Sequence, residues 1–205
     1  AALLQRVPPR KTLKGSSLLF GEGGEILRGK LLTYLHNNGY GRSEIVMEPG
    51  EYAIRGGIID LYPAGFAEPF RLDFFGDELD SIRTFEPFSQ RTSGKCERFS
   101  LKPFNEFSLD ESAVSRFRAG YRALFGVVSD EDPLYEAISE GRTQAGMEHW
   151  LPLFHDEMET ILDYVPNFTI IFDYQAEEAA KSRWDLILEC YSARSDKLLS
   201  NSTLI

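Results

Sequence analysis

Seven residues, Gly24-Glu-Ile-Leu-Arg-Gly29-Lys30, keep the spacing of a loop that cradles nucleotide phosphates with backbone N–H groups and a lysine. Phosphoryl transfer from such a loop also needs a hydroxyl at the next position, to ligate the Mg²⁺ that bridges the phosphates, and that position is Leu31. Ile26, Leu27, Leu31, Tyr34 and Leu35 instead recur at helical intervals, so residues 25–36 read as an amphipathic helix stopped by Asn37-Asn38-Gly39. The segment is therefore expected neither to bind nor to hydrolyse ATP. Glu148, His149, His155 and Asp156 offer acids and bases at short spacing, but no Ser or Cys stands in a nucleophile-elbow context, and packing and helix capping account for Met147 to Phe154. Asp73, Asp77, Glu78 and Asp80 lack the loop spacing of a calcium hand and read as a solvated strand edge that discourages edge-to-edge pairing. Cys96 and Cys190 lie far apart, outside any CxxC spacing, and His149 and His155, six apart, fall on different helix faces. No catalytic residue and no metal site is expected.

Recognition is the chemistry that remains. Between Glu48 and Arg91, short apolar and aromatic runs are cut by Pro49-Gly50, Gly56-Gly57, Pro63-Ala64-Gly65 and Gly76-Asp77, the punctuation of an antiparallel meander. Within it Phe70, Leu72 and Phe74 share one face of a strand, while Arg71, Asp73 and Phe75 share the other. A phenylalanine beside an arginine on a wet face is the composition of a protein–protein hot spot. Period alone leaves open whether another element covers Phe75, because strand faces are often covered in mixed folds.

Around this β module the chain is mixed. Ala1 to Lys14 reads as an exit segment from something upstream, and Ser16 to Phe20 as a short strand. Glu97 to Lys102 is the last strand of the module, and Phe104 to Ser112 a connector. Ser108 or Asp110 can cap a helix from Glu111 to Phe125, and Asp132-Pro133 opens a shorter one to Ser139. Trp150, Leu151, Leu153 and Phe154 supply core side chains; Asn167-Phe-Thr-Ile-Ile-Phe-Asp173 reads as a buried strand, followed by a helix from Gln175 or Ala176 to about Arg194.

Composition bounds the function. A chain of 205 residues with 42% apolar content can bury one large core or two modest ones. No uncharged apolar run reaches the ~18 residues of a membrane span, and Ala1-Ala-Leu-Leu-Gln-Arg lacks the form of a signal peptide, so a cytoplasmic location without membrane contact is expected. A net charge of -10 argues against nucleic acid as the first partner, since general affinity for it comes from neutralising phosphates with Lys and Arg.

The runs Glu48-Pro-Gly-Glu-Tyr-Ala-Ile-Arg-Gly-Gly-Ile-Ile-Asp-Leu-Tyr-Pro63, Arg71-Leu-Asp-Phe-Phe-Gly-Asp-Glu78 and Ser89-Gln-Arg91 resemble the module shared by the excision-repair protein UvrB and the transcription-repair coupling factor. Asp132-Pro-Leu-Tyr-Glu136 and Ala145-Gly-Met-Glu-His-Trp-Leu-Pro-Leu-Phe154 resemble the coupling factor in particular, in its N-terminal UvrB-homology region. The resemblance implies a fold of class α+β or α/β: an exit segment (1–15), an antiparallel β-rich UvrB-like module (16–103), and the second part of a degenerate helicase-like α/β domain (104–205). It implies that the module docks UvrA, the damage-recognition ATPase, through two arginines and a phenylalanine that fall on Arg55, Arg71 and Phe75. It also reads the 167–173 run as the relic of a Mg²⁺-binding helicase strand, with Tyr174 after Asp173 in place of a second acid. The longer parent would carry an RNA-polymerase-binding domain, an ATP- and Mg²⁺-dependent translocase on duplex DNA, and a C-terminal domain that masks the UvrA face; no cofactor is expected in this segment. The corresponding piece of UvrB is the alternative, and an independent enzyme the third reading.

Overall fold

The computed structural model describes residues 2–21, 27–128 and 132–202. In chain order its strands and helices are β1 (Arg6–Val7), α1 (Arg10–Gly15), β2 (Leu18–Gly21), α2 (Arg28–Asn37), β3 (Gly41–Arg42), β4 (Glu51–Arg55), β5 (Ile58–Leu61), β6 (Phe70–Phe75), β7 (Glu78–Phe85), β8 (Thr92–Lys95), β9 (Arg98–Leu101), α3 (Glu111–Phe125), α4 (Pro133–Ser139), β10 (Glu159–Thr160) and α5 (Ala176–Ser202). The fold is α+β. Contacts divide it into two compact units, Pro8–Glu157 and a second made of Ala1–Val7 with Met158–Ile205.

In the larger unit, strands β3 to β8 form a six-stranded sheet in sequence order, antiparallel except at β3–β4, while β2 and β9 pair separately. The β4–β5 hairpin turns at Gly56 and Gly57 for two separate reasons. Gly56 has a φ of +60°, in the left-handed region, and a Cβ on Gly57 would stand 2.6 Å from the carbonyl oxygen of Phe74. That close approach lets the Phe74 N–H donate to the Gly57 carbonyl at 2.9 Å, which ties the hairpin tip to β6. Arg28, at the start of α2, donates from Nη2 to the Gly56 carbonyl at 2.8 Å and holds the same tip from the other side.

The inner face of the sheet carries Ile59, Leu61, Phe70, Leu72, Phe74, Leu79 and Ile82 into a core shared with Leu31 and Leu35 of α2 and with Phe20, Phe99 and Leu101. Phe99 stacks on Phe20 at 4.9 Å and on Phe70 at 4.2 Å. Burying each such side chain contributes about 1.5–3 kcal/mol, so this layer dominates the stability of the unit. Leu31, the residue that departs from the phosphate-loop pattern, is one of its fully buried members. Gly24, Glu25 and Ile26 of that pattern lie outside the described residues. Leu27, expected in the apolar stripe, instead precedes the first turn of α2 and is exposed.

A second core gathers Ala113, Val114, Phe117 and Tyr121 of α3 with Ile138 of α4, Met147 and Phe154. Its helices begin where short acids cap them. The Asp110 carboxylate accepts the Ala113 N–H at 3.0 Å, and Asp132 accepts those of Leu134 and Tyr135. Asp132 also accepts the Tyr121 hydroxyl at 2.7 Å; burial, reinforced by that carboxylate, pushes the phenol up to about 12. The acid-base group near residue 150 is dispersed among structural roles: His155 bonds the Glu106 carbonyl, Asp156 pairs with Arg116, and Glu148 accepts the Gly146 N–H.

In the smaller unit β1 pairs with β10, and a 3-10 turn over Ile161–Tyr164 is closed by a Thr160–Asp163 capping box. The strand expected over 167–173 is absent: the segment is irregular, and Phe168, Ile171 and Phe172 face solvent. An apolar run becomes a strand only with a ladder neighbour to take its N–H and C=O groups, and no described strand pairs with it. The following helix, α5, runs to Ser202 rather than Arg194 and leaves Trp184, Leu188 and Tyr191 exposed. Among the described residues, no helix is long and apolar enough to cross a membrane.

Candidate protein-docking surface

The outer face of the sheet is built around a buried acid. On β5, Asp60 lies between Ala53 of β4 and Arg71 of β6 in the ladder, with Arg55 its diagonal neighbour. Its side chain is 1% exposed and accepts three guanidinium N–H bonds. Arg71 donates from Nε to one carboxylate oxygen at 2.7 Å and from Nη2 to the other at 2.9 Å; Arg55 donates from Nη2 at 3.2 Å. The two arginines, like charges that would otherwise part, thus converge on one carboxylate. A buried carboxylate left without a partner costs about 3–5 kcal/mol, so this convergence is a condition of the fold.

Arg71 is held from every side. Its Nη1 donates to the Gln90 carbonyl at 3.3 Å and its guanidinium lies 4.6 Å from the centre of the Phe85 ring. The hydrogen bonds to Asp60 raise its pKa above the usual arginine value, against the pull of burial. Phe85 belongs to a small outer-face core with Val46 and Ala53, against which Tyr62 packs. Gln90 closes the arrangement: its Oε1 accepts from Arg55 at 3.3 Å, and its amide nitrogen donates to the carbonyls of Val46 and Pro87. Among the described residues it is the only one other than glycine with positive φ, at 58°.

Phe75 ends β6 on the same outer face. A bulge in the pairing with β7 falls between Asp73 and Phe74, and past it Phe74 stays inside while Phe75 points out, 84% exposed. No other element covers it among the described residues. Its ring borders a groove of ≈ 660 Å³ lined by Leu27, Lys30, Asp77 and Glu78, and Asp73 beside it on the strand pairs with Arg83 at 2.7 Å. A further ring, Phe88, stands exposed on the turn that supplies Gln90. That turn is pinned by Glu86, whose carboxylate accepts the N–H groups of Phe88 and Ser89; bonds from Ser89 and Phe88 hold it below the usual carboxylate range.

Arg55 and Arg71 therefore meet on one carboxylate, and Phe75 shares the outer face of β6 with Arg71. Asp60 and Gln90 carry the arrangement and have no role in the sequence reading. The available signal is an acid inside the apolar run Ile58-Ile-Asp-Leu61, which must find a cation opposite once the strands are registered.

The sheet and its flanking strands form a UvrB interaction domain: residues 18–107 match the family of that description. Transcription-repair-coupling factors of Haemophilus influenzae and Escherichia coli are each 40% identical to the chain, over 90% and 89% of its length. That of Bacillus subtilis is 31% identical over 83%. The chain belongs to the transcription-repair-coupling factor family. It spans 16% of the length of the Haemophilus and Escherichia relatives.

Proposed function

We propose that this segment is a non-catalytic docking module that recruits UvrA, through the face carrying Arg55, Arg71 and Phe75, to RNA polymerase stalled in transcription-coupled excision repair. The observation that carries the reading is a large aromatic ring left open to solvent on a strand whose neighbouring arginines are already fixed in place. Such a surface loses little side-chain entropy on binding, the economy that makes an aromatic–arginine cluster a hot spot. The rest of the parent supplies the polymerase contact, the ATP- and Mg²⁺-driven movement on duplex DNA, and a C-terminal domain that masks this face, all in the cytoplasm. On this reading the UvrA-binding module lies within residues 16–103, which hold the six-stranded sheet.

Calorimetric titration of the chain with purified UvrA, run beside duplex DNA at moderate salt, tests the reading. Binding to UvrA but not to DNA is expected, and Phe75→Ala or Arg71→Ala should each weaken it by about 2 kcal/mol. Arg71→Glu should be worse than alanine through repulsion. UvrA binding untouched by both alanine changes would discard the site. ATP turnover should be absent; turnover that Lys30→Ala abolishes would restore the phosphate-loop reading.

A further inference from the structure

A guanidinium has five N–H groups. On Arg71 the Nε–H and one Nη2–H are committed to Asp60 and one Nη1–H to the Gln90 carbonyl, while one face of the group lies on Phe85. Its side chain is 16% exposed, against 47% for Arg55. Among the described residues Arg55 uses only Nη2, leaving Nε and Nη1 for another molecule. The bonds close a ring: Arg71 to Asp60, Asp60 to Arg55, Arg55 to Gln90, and Gln90 back to Arg71. We infer that Arg71 is a positioning residue, which carries most of the neutralisation of Asp60 and so leaves Arg55 half-exposed with its Nε and Nη1 open, and that Arg55 and Phe75 make the contacts with the partner. This rests on the docking reading above and assigns different work within it to two arginines of one surface.

The physical chain is short. Without Arg71, Asp60, only 1% exposed in the intact fold, keeps a single, longer bond, from Arg55. The carboxylate then draws Arg55 down onto itself, because an uncompensated buried charge outweighs a solvated surface position. Arg71→Ala would thus silence the surface although its side chain touches no partner atom.

The test is a rescue. Arg71→Met alone should weaken UvrA binding roughly thirtyfold, the hot-spot scale. Adding Asp60→Asn removes the charge that Arg71 neutralises and keeps an acceptor for Arg55, so the double variant should return to within about threefold of wild type, since replacing both partners of a buried pair is nearly neutral. A folded double variant that binds as weakly as Arg71→Met overturns the inference. Footprinting of the wild-type chain with phenylglyoxal decides the matter if the double variant fails to fold. Arg71 should be unmodified with or without UvrA, and Arg55 modified when free and protected in the complex; an Arg71 that reacts in the free chain overturns the inference. If Arg55→Ala and Phe75→Ala both bind UvrA normally, the docking reading itself fails. If both lose binding and no rescue occurs, only the division of labour falls.

Discussion

Phe75 and Ile171 are both large apolar side chains left to solvent, at 84% and 89% exposure, in very different surroundings. Phe75 stands at the end of a strand paired on both sides, next to charged groups that are themselves hydrogen-bonded, with a packed core directly behind it. Ile171 sits in a run where Phe168, Ile170, Phe172 and Tyr174 are exposed with it and no described strand takes the backbone N–H and C=O groups. Exposure of an apolar side chain therefore does not by itself tell the two regions apart. What distinguishes the first region is that the ring is presented by a paired strand beside arginines already anchored by Asp60 and Gln90, so that binding has little backbone left to order.

The contrast can be broken most forcefully at its centre. Arg71→Ala strands a buried carboxylate and should lower unfolding free energy by about 3 kcal/mol, read from urea denaturation; Arg71→Ala in an Asp60→Asn background should cost far less. Next comes Phe75→Ala, which should cost UvrA binding about 2 kcal/mol while changing unfolding by under ~0.5 kcal/mol, because an exposed ring holds nothing together. A Phe75 variant that unfolds early would place the ring among structural residues.

The Asp110 cap is smaller, and its pH dependence has a definite sign. Burial raises its pKa, but the bonds from Ser112, Ala113 and Ser108 outweigh it and leave the carboxyl below its ordinary value. Its contribution is accordingly present above the unfolded-state pKa and lost as pH falls through the lowered folded one. Asp110→Ala should cost about 1 kcal/mol at neutral pH and flatten the acid limb of the stability curve. Smallest is Ile171→Ser, expected to move stability by less than ~0.5 kcal/mol and UvrA affinity not at all. Loss of binding there would shift the docking surface to the smaller unit.

Period-two alternation was enough to read Phe70, Leu72 and Phe74 as inward and Arg71, Asp73 and Phe75 as outward, and the structure keeps that division across a bulge. The starts of α3 and α4 were legible too, because a cap is local chemistry, and of the two candidates for α3 the structure uses Asp110 rather than Ser108. Asp60 was not. Its meaning depends on which residues the hairpin and the next strand set beside it, information held in register rather than in any short stretch. Gln90 reaches Arg55 across 35 positions, beyond any periodicity. The 167–173 run fails as a strand for the complementary reason. Apolar, β-prone residues state a preference, but a ladder is a property of two segments, and only one of them is in the run.

Gln90 also bears on how this surface can vary. A residue in the left-handed region costs about 1 kcal/mol that glycine would not incur, yet glycine would delete both the acceptor for Arg55 and the donor to Val46 and Pro87. Valine or isoleucine would lose the same bonds and add steric strain. A position that looks permissive from its half-exposed place in a loop therefore tolerates few substitutes. A saturation library at codon 90, selected for UvrA capture, should return a far narrower set of residues than one at the neighbouring exposed Ser89.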